Sequence, residues 1–254
     1  MKIFKLALLF GWLTLFISGC DDDDGYSLGD YWITIGTIEG DRDNFIVVTD
    51  GGDRLYPSVN AAPWYDPEDG ERLWVNYTIL GDGEEGSNID YYVKINHFEE
   101  ILTKDIFTLT PENADSIGHD PVWVTNPEEN IWIANDYLNI FFRYEGSGRW
   151  VHYFNVVSDI NNPTTPDGTP VLELRHNKNN DLFSQFPIIG FISINLKSLQ
   201  EEDKDSVKFI LRAIDDNGEY ALEEELTYVY EPEQDTIPIE AVLLKTLPDK
   251  VSIE

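Results

Sequence analysis

Residues 137–150 read Tyr137-Leu138-Asn139-Ile140-Phe141-Phe142-Arg143-Tyr144-Glu145-Gly146-Ser147-Gly148-Arg149-Trp150. Leu138, Ile140, Phe142 and Tyr144 occupy every second position, the period of a pleated strand and not the 3.6 of a helix. Glu145-Gly146-Ser147-Gly148 then turns the chain into a second apolar stretch, Trp150 to Val157, because glycine takes up turn conformations without steric cost. The same grammar extends in both directions. Upstream, Tyr31, Ile33 and Ile35 share a face, Phe45 to Val48 makes a short buried strand, and Asp50-Gly51-Gly52 turns the chain into Arg54-Leu55-Tyr56. Leu73, Val75, Tyr77 and Ile79 alternate over a long strand, the Gly-rich acidic stretch Gly81 to Asn88 makes a loop, and Tyr91, Val93 and Ile95 give another strand. Five strands within residues 30–104 suit a small barrel. Lys104 to Ser116, with few periodic residues, reads as a join. Beyond it, strands are expected at Val122 to Thr125, Ile131 to Ala134, Val171 to Arg175, Ile188 to Leu196, Val207 to Ile214 and Glu225 to Tyr230. Asp216-Asn217-Gly218 is a hairpin turn of a favoured type. Strands at this spacing suit a β-sandwich over residues 115–231, followed by a tail or extension, 232–254. Only Phe98 to Lys104 and Lys197 to Glu201 read as short helices.

Composition supports an ordinary folded interior, with 42% hydrophobic residues in 254. Such a chain buries enough surface to fold without a disulfide or a metal. The charge is less ordinary: 48 acidic residues against 17 basic ones give −31. Nucleic-acid binding draws on Lys and Arg to neutralise phosphates, so nucleic acid is excluded as a partner class, and protein or glycan remains. The acidity reads as a solubilising surface.

The first residues carry a separate message. Lys2 and Lys5 precede an apolar run from Leu6 to Ile17, and Ile17-Ser18-Gly19-Cys20 follows. A charged start, an apolar core and a small-residue cleavage site describe a secretory signal peptide, here residues 1–19. The run is short for a membrane-spanning helix, which needs about 20 residues. Ile-Ser-Gly-Cys resembles the lipobox of bacterial lipoproteins, which implies lipid on Cys20, the single cysteine of the chain, and attachment to a membrane through it. Two or three acyl chains on one residue make a stable anchor. Asp21, Asp22, Asp23 and Asp24 make a solvated tether within residues 20–29. An acidic run after a lipidated cysteine also resembles the surface-export signal of gut-type Gram-negative lipoproteins, which implies an outer-membrane protein facing outward.

Several strings together resemble the NigD-like lipoproteins: Gly29-Asp30-Tyr31-Trp32-Ile33, Arg54-Leu55-Tyr56-Pro57, Val75-Asn76-Tyr77-Thr78-Ile79-Leu80, Asp115-Ser116-Ile117-Gly118-His119-Asp120-Pro121, and Trp132-Ile133-Ala134-Asn135-Asp136-Tyr137-Leu138-Asn139-Ile140. The resemblance implies an all-β chain with an N-terminal OB-like barrel followed by an immunoglobulin-like β-sandwich. The family's name comes from a gene beside a bacteriocin operon, which suggests immunity or accessory roles. It supplies no catalytic residues to carry over.

Chemistry-bearing residues are sparse. His97, His119, His152 and His176 lie too far apart in sequence for a zincin-like helix motif. His152, beside Trp150 and Phe154, reads as a satisfied core histidine, and His119 as a turn support. Gly146-Ser147-Gly148 lacks the spacing of a nucleophile elbow. Asp82, Glu84 and Glu85, or Asp66, Glu68 and Asp69, offer hard oxygen ligands without the fixed spacing of a calcium loop. Trp64, Tyr65 and Trp123 are candidate sugar-stacking platforms or plugs of a barrel end or domain interface. No catalytic, metal or cofactor residue is assigned. The expected role is a non-enzymatic binding or accessory lipoprotein of the cell envelope, with bacteriocin immunity as one version. The alternative is a glycan-binding or hydrolytic lipoprotein acting on cell-surface polymers.

Overall fold

A computed structural model describes residues 25–42, 44–183 and 186–230. The signal peptide, Cys20, the four-aspartate run and the tail 232–254 lie outside the described residues. Among those described, no helix is long and apolar enough to cross a membrane.

The N-terminal part is an OB-like closed barrel of β1 (Trp32–Asp41), β2 (Asn44–Thr49), β3 (Arg54–Asn60), β4 (Arg72–Asp82) and β5 (Tyr91–Glu100), ordered β1-β2-β3-β5-β4. The β3–β5 pair is parallel and closes the barrel. Register shifts between Asn76 and Tyr77 and between Ile79 and Gly81 supply the bends a small barrel needs. The alternation seen in sequence is the inside of the barrel: Leu73, Val75, Tyr77 and Ile79 are buried with Ile38, Val47, Leu55, Val93 and Ile95. The acidic loop begins later than its glycines suggest. Gly81 and Asp82 belong to β4, and Gly83 N–H bonds Asp90 O at 2.7 Å.

The C-terminal part is a β-sandwich. One sheet runs β14 (Tyr220–Val229), β13 (Ser206–Ile214), β11 (Val171–Asn177), β10 (Tyr153–Asp159), β7 (Phe107–Leu109). The other runs β6 (Thr103–Asp105), β12 (Phe186–Asn195), β9 (Tyr137–Gly146), β8 (Ile131–Ala134). Between them lie Leu138, Ile140 and Phe142 of β9, Ile192 and Ile194 of β12, Leu172 and Leu174 of β11, and Phe209 and Leu211 of β13.

The stretch read as a join is part of this sandwich. The chain passes from β6, paired in parallel with β12, to β7, paired in parallel with β10, so residues 103–109 contribute an edge strand to each sheet. Their partners lie far along the chain, and no local hairpin advertises them. Phe98 to Lys104 is not helical: Phe98–Glu100 finishes β5, and β6 opens at Thr103. Lys197–Leu199 is a single 3₁₀ turn. Val122 to Thr125 forms no strand and makes one bridge, Trp123 to Arg143. Two four-residue helices that periodicity cannot signal, α1 (Ala114–Ile117) and α2 (Pro127–Asn130), lie against β10 and β11 and against β8 and β9.

Candidate functional site

At one end of the sandwich the β9–β10 and β11–β12 connections meet around a buried carboxylate. Asp181 is fully buried. Its Oδ2 accepts the Ser147 N–H at 2.7 Å and faces His152 Nε2 at 3.2 Å, and its Oδ1 accepts the Phe183 N–H at 3.1 Å. Burial opposes ionisation, yet the Ser147 and His152 hydrogen bonds outweigh it and bring the Asp181 carboxyl down to about 2. The network continues inward, with His152 Nδ1 2.8 Å from His176 Nε2 and His176 Nδ1 2.9 Å from Pro121 O. Because Pro121 O only accepts, His176 donates from Nδ1 and accepts at Nε2. The His176 ring stacks on Phe154, with centroids 4.7 Å apart at 11°.

This polar post holds two apolar loops outward. Asn179 Nδ2 ties one to the other through Val151 O at 3.1 Å. Around them Trp150, Val151, Leu182, Phe183, Phe186 and Ile189 all stand exposed, Leu182 at 81%. Single exposed apolar residues are ordinary, but six on or beside two neighbouring connections are more than the usual scatter. The arrangement differs from a hydrolytic triad in what the histidine faces. Asp181 Oδ2 takes both the Ser147 N–H and the His152 ring, whereas serine catalysis needs the base against the nucleophile.

A second polar assembly sits where barrel meets sandwich. Arg72, fully buried, forks onto Asp50 through Nη1–Oδ1 at 2.5 Å and Nη2–Oδ2 at 3.0 Å. Its remaining donors reach Thr37, Asn139 and Ser193. Trp132 Nε1–H donates to Asp50 at 2.8 Å, while Trp74 of the barrel packs on Phe141 and Phe191 of the sandwich. Every polar group here is turned to another, so the assembly is a joint between domains.

The residues singled out from sequence scatter. His152 is the satisfied core histidine expected, and it meets His176, which no local spacing could show. His119 faces Arg175, whose Nη1 also bonds Gly118 O, and Gly118 holds φ at +82° with no room for a side chain beside His176 O. His97 is exposed on β5. Asp82 accepts the Tyr26 hydroxyl at 2.5 Å, Asp66 pairs with Arg42, and Asp69 accepts the Gly40 N–H; these acids have separate local roles. Trp64 is 71% exposed, Tyr65 packs on Phe98 and bonds Glu71, and Trp123 lies under Arg143. Asp181 and Arg72 carry no local signal that separates them from other charges, and Asp50 reads only as part of a turn.

Comparison with known proteins returns both halves separately. Residues 35–101 match the NigD-like N-terminal OB domain, and residues 105–225 match the NigD-like C-terminal β-sandwich domain. No curated protein matches the chain. Among solved structures, a protein of Parabacteroides distasonis whose name calls it toxin-related is 27% identical, covering 86% of this chain and 100% of its own at a TM-score of 0.63. A NigD-like immunity protein of Bacteroides caccae shares the fold at 20% identity, 82% of this chain and 100% of its own, TM-score 0.59. A protein of Bacteroides fragilis, provisionally named a lipoprotein, shares it at 10% identity, 81% and 100%, TM-score 0.53.

Proposed function

The chain belongs to the NigD-like family through both of its domains, and from that premise we propose a non-enzymatic envelope lipoprotein that docks a protein partner on the far end of its sandwich. The exposed apolar cluster beside the Asp181 post carries this reading, since residues already held by hydrogen bonds lose little entropy on binding. Lipid on Cys20 would hold the protein to the outer membrane, with the domains outward. Tyr26 is bonded to Asp82 at the end of β4, while the sandwich meets β4 at Arg72 and Trp74, its beginning. Likewise the barrel meets β9 and β12 at Asn139 and Ser193, and the apolar loops lie by Gly146 and Phe186 at their other ends. The cluster therefore stands away from the anchored end, toward a partner and not toward the lipid beneath. Names of toxin-related and immunity proteins among the relatives support a protein partner, and an immunity-like or accessory role is the version we favour.

The test uses membranes of the native host. A photo-crosslinker at position 182 should capture a discrete partner, and a crosslinker at Trp64 should not. The pair Leu182→Ser and Phe183→Ser should abolish retention of that partner while palmitate labelling at Cys20 persists. Equal capture from both positions, or unchanged retention in the double variant, would sink the docking site.

A further inference from the structure

We propose that the outer face of the five-stranded sheet carries a second binding site, a cleft for a neutral mono- or disaccharide. The cleft encloses about 330 Å³, at the small end of the range for ligand pockets. Its floor is the outward row of three strands, where Val157 of β10 lies opposite Glu173 of β11, and Glu173 opposite Arg212 of β13. The β10–β11 loop forms one wall, and Tyr220 forms the other.

The charged groups facing it come in both signs. Glu173, 8% exposed, and Asp159 supply carboxylates, and Arg175 and Arg212 supply guanidiniums. Arg175 Nη2 donates to Glu173 Oε2 at 3.0 Å. The second approach, Arg175 Nε to Glu173 Oε1, is an ion-pair contact at 2.8 Å but not a hydrogen bond. Both atoms are buried, each facing the other as its charged partner. Burial also pushes the Glu173 carboxyl above its ordinary range. Arg212 commits Nε to Glu223 at 2.8 Å and lies 5.0 Å over the Tyr220 ring. The wall is already ordered: Asp159 accepts the Asn161 N–H and the Asn162 side-chain amide, Thr164 bridges Pro170, and Val171 N–H bonds Pro163 O.

A sugar hydroxyl both donates and accepts, so a sugar ring needs both kinds of partner around it. Asp159 accepts, Asn162 and Arg212 donate, and the Tyr220 ring, half exposed, offers apolar surface to the C–H faces. An anion would meet two carboxylates here, and a cation two guanidiniums. A neutral polyol suits both.

The purified protein is to be titrated by calorimetry and saturation-transfer NMR with neutral hexoses and their disaccharides, and in parallel with a uronic acid and an amino sugar. Neutral sugars should bind, and Arg212→Gln and Asn162→Ala should each weaken binding about tenfold, with the melting temperature of Asn162→Ala unchanged. Preference for either charged sugar, no transfer from any sugar, or full affinity in Asn162→Ala would overturn the proposal. Leu182→Ser with Phe183→Ser should leave sugar binding as it was, so loss of the cleft and loss of the docking end are read separately.

Discussion

Nothing in Leu174-Arg175-His176-Asn177 marks its histidine as different from one on a surface, yet His176 is 2% exposed and stacked on Phe154. Burial lowers its pKa from the ordinary 6.5, helped by the nearby His152 and opposed by the Pro121 carbonyl. The unfolded chain therefore takes up a proton at higher pH than the folded one. Stability is whole above about pH 6.5 and falls as pH drops below it. In urea titrations the unfolding midpoint should decline as pH falls below about 6.5 in the wild type, and decline less in His176→Gln; equal declines would remove His176 as the cause. Asp181 works at lower pH: its depressed pKa contributes stability above the ordinary 3.8 that disappears as pH falls toward 2. Sequence reading found His152 as a core histidine from its apolar neighbours. It could not find Asp181, because an acid's burial is decided by which loops close over it.

Strands β9 and β12 show what alternation does and does not encode. Leu138, Ile140 and Phe142 face inward as their spacing says, and so do Ile192 and Ile194. Gly190 lies opposite Phe142 in register, and the Phe142 ring fills the place where a side chain on Gly190 would sit. Gly190→Ala should therefore destabilise the protein by about 1–3 kcal/mol through overpacking, read as a lower urea midpoint with an unchanged slope. No loss would mean that the ring moves aside freely. The small strands β6 and β7 were illegible for a different reason. Each is three residues long and pairs in parallel with a strand far along the chain, and three residues are too few to display a period. Val122 to Thr125 failed in the opposite way, being apolar yet forming no ladder beyond the Trp123 bridge, with Val122 N–H bonded to Ile214 O.

For the molecule as a whole, Arg72 joins the domains. Its guanidinium is fully buried and Asp50 is 13% exposed, so Arg72→Met leaves a carboxylate with little water and no counter-charge. Losing one partner of such a pair costs about 3–5 kcal/mol. Calorimetry should show one transition in the wild type, and in Arg72→Met a lowered first transition with barrel and sandwich unfolding separately. A variant that still unfolds in a single, unshifted transition would show that the joint is held by the Trp74, Phe141 and Phe191 rings instead. The sequence alone determined that the chain is all-β, that a barrel precedes a sandwich, and that its surface is strongly acidic, because period, turn residues and charge are properties of neighbouring positions. Only the tertiary structure decided the joint, the Asp181 post and the cleft. Arg72 and Ser193 stand 121 positions apart, Ser147 and Asp181 34 apart, and alternation states which face a residue takes without stating which distant strand it will meet.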